Sequence, residues 1–252
     1  MSPTSAPHSS LITEAFDPTL AQAMIARLQA EVEAKEARRL AKLASPAAHA
    51  GPETDHDPGI EEKEPVLQTQ GLTIPARKLM ICLRLAATFR SFEALEALRA
   101  PGAFTVLRGL DLAEVGTAMQ VLNTALPDHG CHLVAPNIYG GTVSKPDAER
   151  FTREADRYLD ITTPILVLQP LDVALPDFFR NPAVGNLAYA PITADILLAF
   201  LAATSRPPAD VQAFRDALPD PSILARFDTA QAVMSLRSGT ALEVAHRLVS
   251  LT

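Results

Sequence analysis

Four short apolar runs in the middle of this chain, spaced by stretches of helical character, limit its fold more than any other feature. Phe104-Thr-Val-Leu107, Cys131-His-Leu-Val-Ala135 and Pro164-Ile-Leu-Val-Leu168 read as strands, the last closed by Pro170. Leu187-Ala-Tyr-Ala190 is a fourth, less apolar run. Helical patterns over 111–126, 146–160 and 193–203 follow the first, second and fourth runs. Strands alternating with such helices build parallel β-α units joined by right-handed crossovers. The predicted class is therefore α/β, with a small, mainly parallel sheet of three to four strands flanked by helices. The edges of so small a sheet need cover from those helices.

Both flanks read as helical. Residues 75–100 form one helix or two, broken near Ser91, which is placed to cap the second piece, and Pro101-Gly102 ends it. Short amphipathic pieces over 210–218, 221–227, 229–236 and 240–251 make a helical appendage. In the last of them Glu243 stands three residues after Thr240, as in a capping box. At the other end, residues 1–16 read as a loose tail. Asp17-Pro18 opens an amphipathic helix over 17–44, with Leu20, Met24, Leu28 and Val32 every fourth residue and Ile25 beside them. Two readings of that stripe stand side by side. Either Leu20, Met24, Leu28 and Val32 bind a partner or a second copy, or the helix lies on its own domain. Residues 45–65, SPAAHAGPETDHDPGIEEKEP, read as an acidic flexible linker. That leaves 66–205 as an α/β domain and 206–252 as the helical appendage.

The net charge of −7 is unevenly spread, with 6 Lys/Arg against 11 Asp/Glu in residues 1–65 and 16 against 18 in the rest. Acidity thus belongs to the extension. No basic stripe able to neutralise several phosphates is apparent, so nucleic acid is not an expected partner. No apolar run approaches the ~18 residues of a membrane span. Cys82 and Cys131 are too few for a disulfide scaffold, which points to a reducing cytoplasm. At 48% hydrophobic the chain has ample material for a core.

Chemistry-bearing motifs are sparse. No Gly-Lys dipeptide exists to serve a phosphate-binding P-loop. Tyr139-Gly140-Gly141-Thr142-Val143-Ser144-Lys145 comes closest, lying between a predicted strand and a predicted helix, where α/β proteins bind ligands. Amides of Gly140 and Gly141 with the Lys145 ammonium could hold an anion; alternatively the glycines only turn the chain. His129, Cys131 and His132 are a dense set of soft ligands, but strand alternation sends Cys131 and His132 to opposite faces. Asp55-His56-Asp57 lies in the linker, where ordering it around an ion costs entropy. Asp172 and Asp177 follow the third strand and read as turn residues and caps. Arg150, Arg153 and Arg157, interleaved with acids, read as a salt-bridged surface. No catalytic residue, metal site or cofactor follows from any of these.

The C-terminal half carries a resemblance. YLDITTPILVLQPLD, PITADILLAFLAATSRPP and DALPDPSILARFDTAQAVMSLRSGTALEVAHRLVSL are similar to the region preceding the ATPase module of a group of bacterial AAA+ ATPases. The counterparts of that group's helical element are Leu218-Pro219 and residues 223–227, 233–237 and 244–248. The resemblance covers about 75–252 and is one of spacing. It implies the N-terminal part of such an ATPase, whose nucleotide-binding residues have no counterpart here. The chain is then a fragment, a split gene product or a domain acting alone. The implied role is non-catalytic: recruiting substrate for, or regulating, an AAA+ module. Two alternatives remain, a small α/β anionic-ligand-binding protein or enzyme using 139–145, and a homo-oligomeric scaffold paired through the N-terminal helix.

Overall fold

The computed structural model describes residues 17–44, 73–125, 130–137, 142–157, 162–175, 177–204, 208–218, 221–236 and 239–250. The predicted tail and acidic linker lie outside them. Four strands form one parallel sheet: β1 (Phe104–Leu110), β2 (His132–Val134), β3 (Ile165–Pro170) and β4 (Gly185–Ala188), in the order β2-β3-β1-β4. Register aligns Val106 with Val167 and Val167 with Val134, while Leu107 lies beside Leu168. Strand alternation therefore sorts the valines to one face and the leucines to the other. The valine face packs on Phe151 of α5 (Lys145–Arg157) and on Val173, Phe179 and Val184. The leucine face packs on α2 (Ala76–Phe89) and α4 (Val115–Ala125), with α3 (Phe92–Ala97) turning off the end of α2 at Ser91.

That strand order dictates the layering. The β1-to-β2 crossover runs past β3 in one direction and the β2-to-β3 crossover returns, so right-handed connections place α4 and α5 on opposite faces. The β3-to-β4 connection, 171–184, crosses β1 on the α5 side, and its one described helical piece is a single 3₁₀ turn, Asp177–Arg180.

Three details depart from expectation. β1 runs on to Leu110 because Gly109, at φ +90°, absorbs a register shift between Arg108 and Leu110. β4 is Gly185–Ala188 and not 187–190, since beyond Tyr189 the backbone is captured by α2. The third correction concerns α1 (Pro18–Ala44), where the Asp17 carboxylate caps Thr19 N–H at 2.8 Å. Leu20, Met24 and Leu28 do not face a partner: they are buried against the chain's own α2 and α4, and Val32 is half-buried. Each buried Leu or Met side chain stabilises by about 1.5–3 kcal/mol, so internal packing wins this face. The helix-paired scaffold loses its contact residues.

The appendage joins the same core. After α6 (Ala194–Ala203), which ends the predicted α/β domain and supplies Phe200, the appendage helices α7 (Pro208–Ala217), α8 (Pro221–Leu224), α9 (Thr229–Leu236) and α10 (Ala241–Ser250) bring Phe214, Leu224, Leu236 and Leu248 into one cluster with Leu83 and Leu20. Among the described residues one core cluster holds side chains from both sides of the divisions predicted at 65 and 205. Among the described residues no helix is long and apolar enough to cross a membrane.

Candidate functional site

Lys145 opens α5, whose first turn is capped locally: the Ser144 hydroxyl accepts from Asp147 N–H at 3.2 Å and bonds the Asp147 carboxylate. Gly140 and Gly141 lie outside the described residues. Lys145 lines a cleft of about 580 Å³ that also brings in Asp172 and Arg153 over a floor of Val143 and Val173. Two residues far apart in sequence, Lys145 and Asp172, thus share one hollow at the carboxyl end of β3. Asp177 does not join them; it faces Arg180 at 3.6 Å on an exposed turn. Arg153 Nε donates to the Glu149 carbonyl at 3.4 Å, as on a solvated helix face.

The soft-ligand set is dispersed. His129 and Asp55-His56-Asp57 lie outside the described residues. Cys131 is buried, its thiol donates to the Leu98 carbonyl at 3.1 Å, and burial pushes its pKa up. His132 is exposed at the start of β2. Cys82 is fully buried, and desolvation pushes its thiol to about 12, partly opposed by the Lys78 charge. Neither cysteine is a nucleophile at neutral pH. Among the described residues no group of three His, Cys, Asp or Glu could hold a metal ion.

Sequence reasoning missed a buried polar hub. Arg84, in the middle of the apolar run Ile81-Cys-Leu-Arg-Leu85, is almost fully enclosed. Its Nη1 donates to both Glu114 oxygens at 2.9 and 3.0 Å and to the Thr229 hydroxyl at 2.9 Å. Its Nε donates to the Ala190 carbonyl at 2.8 Å. The guanidinium lies 3.9 Å from the Tyr189 ring centre, a cation–π contact. The Tyr189 hydroxyl is buried beside Glu114; burial drives its pKa well above the tyrosine range, opposed by the Arg84 charge and reinforced by the charge and hydrogen bonding of Glu114. The available signal was a charged residue inside the apolar helical run Ile81-Cys-Leu-Arg-Leu85, with Met80 and Ile81 on its own face. One arginine thereby ties α2 to the turn before α4, the exit of β4 and the first turn of α9. Its charge is taken up by these structural contacts, and it lines neither the Lys145 cleft nor the cleft beside β4.

A cleft of about 760 Å³ runs along the outer edge of β4. Its walls are Leu187 and Ala188 of β4, Phe89 and Arg90 at the end of α2, Ala94 of α3 and Pro191 before α6. In a parallel strand successive residues present their backbone groups to opposite sides. Tyr189 N–H bonds the Arg108 carbonyl of β1 at 2.8 Å, so Leu187 and Gly185 also turn inward. Asn186, Ala188 and Ala190 consequently turn outward. At Ala190 both outward groups are satisfied, the N–H by Thr88 Oγ1 at 2.9 Å and the carbonyl by Arg84. At Asn186 and Ala188 no strand among the described residues pairs with them, because β4 ends the sheet.

Arg90 marks the rim of this cleft. It has φ +66° and ψ −46°, and Ser91 N–H closes a three-residue turn onto the Phe89 carbonyl at 2.8 Å. Such a turn is strained for a residue with a side chain. The Ser91 hydroxyl then accepts from Ala94 N–H at 3.3 Å and starts α3. The corner is built by strained local bonding and holds an exposed arginine at the cleft mouth. No protein-family model, curated protein or solved structure matches the chain.

Proposed function

We propose that this chain is a non-catalytic interaction domain that adds an extended segment of a partner protein to the outer edge of β4. Its role is then to recruit or regulate, as its resemblance to the region before an AAA+ core implies, and its setting is the cytoplasm. The observation that carries this reading is the alternation along β4 and its exit: Ala190 is satisfied by α2, and Asn186 and Ala188 face the 760 Å³ cleft. An extended chain offers the matching donors and acceptors, and the cleft walls add side-chain contacts. Each new backbone hydrogen bond contributes a net of about 0.5–1.5 kcal/mol, so a short segment binds in the range suited to reversible recruitment. Among the described residues the titratable groups with displaced pKa are in the core, in ion pairs or at helix caps.

The test is selection from a random peptide display library on the full chain, followed by binding to Ala188→Pro. Proline removes the outward N–H and is tolerated at a sheet edge. Selected peptides should bind the parent and lose at least tenfold on Ala188→Pro with unchanged Tm. Peptides that ignore the substitution contradict the reading.

The Lys145 cleft favours a second reading, an anionic small ligand held by Lys145 beside Arg153. It predicts that Lys145→Ala removes a Tm rise given by at least one nucleotide or sugar phosphate. No Tm rise from such a panel on the parent chain removes it.

A further inference from the structure

Helix α1 carries one face through three kinds of side chain. At about 100° per residue, Leu20, Met24, Leu28, Glu31, Lys35, Arg38, Arg39 and Lys42 all fall within an arc of about 100°. The first three are buried in the core. Glu31 stands at the boundary, with its carboxylate 2.7 Å from Lys35, 3.3 Å from Lys78 of α2 and 2.9 Å from the Thr124 hydroxyl of α4. Beyond it the helix leaves the body: residues 33–43 are exposed, and the face that was apolar becomes a row of four cations. Lys35 leans back on Glu31, and Arg39 reaches Glu36 only at 3.7 Å. Arg38 and Lys42 make no ion pair with a described residue. Leu40 and Leu43, 57% and 74% exposed, flank the row.

The length of chain between the two described ends sets what can reach this row. After Ala44, 28 residues pass before Thr73, which is pinned beside Gln29: Thr73 N–H donates to Gln29 Oε1 at 3.1 Å, and Gln29 Nε2 to Thr73 Oγ1 at 3.2 Å. Returning from Ala44 to the level of Gln29 covers about 22 Å along the helix. That is far less than 28 residues can span at about 3.3 Å each. Thr73 stands beside Gln29, about 80° round the helix from the edge of the row, an offset that the spare length of 28 residues covers, and Lys78, five residues further on, reaches Glu31 at the head of the row. The returning segment contains Glu53, Asp55, Asp57, Glu61, Glu62 and Glu64 against Lys63 alone.

We propose that the acidic segment 53–64, which lies outside the described residues, docks on the Lys35, Arg38, Arg39 and Lys42 face of α1 in its own chain. Charge complementarity names the occupant, and tethering favours it over a second copy, because a short connection holds the segment at an effective concentration on the order of millimolar. The contact is solvent-exposed and weakens with salt, where the screening length falls to about 3 Å at 1 M. The prediction is independent of the β4 edge.

A zero-length carbodiimide cross-linker, which joins an amine to a carboxylate in direct contact, tests it on the full chain mixed as equal parts ¹⁴N and ¹⁵N protein. The expected result is a link from Lys42 or Lys35 to a carboxylate within 53–64, in peptide pairs of a single isotope. It should fall severalfold in 0.5 M NaCl and vanish when the six acids are changed together (E53Q, D55N, D57N, E61Q, E62Q, E64Q). Mixed-isotope pairs would assign the face to a second copy and overturn the proposal. So would links that persist in high salt, or no link from either lysine to the segment.

Discussion

At Ala190 the outward amide and carbonyl of the polypeptide are both taken by α2, through Thr88 and Arg84, whereas at Ala188 and Asn186, two and four residues earlier, the equivalent groups face a cleft. The edge is open along β4 and closed two residues past its end. Closing Ala190 required a buried arginine, a buried glutamate to neutralise it and a threonine to complete it. Nothing comparable is spent on Asn186 and Ala188. The other end of the sheet, β2, is also unpaired among the described residues, but it is three residues long. The β4 edge has a cleft of about 760 Å³ beside it.

The contrast breaks most readily at the closed end. Arg84→Met leaves the Glu114 carboxylate buried without its partner, which costs about 3–5 kcal/mol by chemical denaturation. Adding Glu114→Leu should recover most of that loss, since a buried pair replaced by apolar groups is often neutral. Next comes the support behind α2. Met24→Ala empties a fully buried position between α1 and its neighbours and should cost about 2–5 kcal/mol. If Met24 instead faced a partner, the isolated chain would lose almost nothing. A smaller effect is expected from Thr88→Val, which strips the acceptor from the Ala190 amide. A loss of about 1–3 kcal/mol is expected, with faster exchange of that amide.

The smallest effect is electrostatic. Burial pushes the Glu31 pKa up, but hydrogen bonds from Lys35, Thr124 and Lys78 and the Lys78 charge outweigh it and bring it to about 2, below the usual 4.5. A carboxylate whose pKa is lower in the folded state stabilises fully above pH 4.5. That contribution is lost as pH falls from 4.5 towards 2. Glu31→Gln should therefore flatten the acid limb of a Tm-versus-pH curve modestly, because the group is partly solvated, and leave the neutral range little altered.

Much of the architecture was legible because it is local. Apolar runs and their alternation located the strands and, through the pleat, which side chains share a face. Short-range chemistry marked the ends: Ser91 caps α3, and Thr240 and Glu243 form the expected box, with Thr240 N–H to Glu243 Oε2 at 2.7 Å and Glu243 N–H to Thr240 Oγ1 at 3.3 Å. What escaped depends on long-range placement. Arg84 finds Glu114 across 30 residues, Ala190 across 106 and Thr229 across 145, and no local pattern encodes those meetings. The open edge of β4 follows from strand order, which the run of strands along the chain leaves undetermined. The α1 stripe was visible as a stripe, but whether its own core or a partner covered it depended on where α2 and α4 would stand. Lys145 was named for its loop, and its meeting with Asp172 came only from the fold.

Residue-resolved native-state hydrogen exchange tests the central contrast most directly. The account predicts strong protection at Ala190 and weak protection at Asn186 and Ala188 in the free chain, with Ala188 becoming protected when a selected extended peptide binds. Equal, strong protection of Ala188 and Ala190 in the free chain would contradict it.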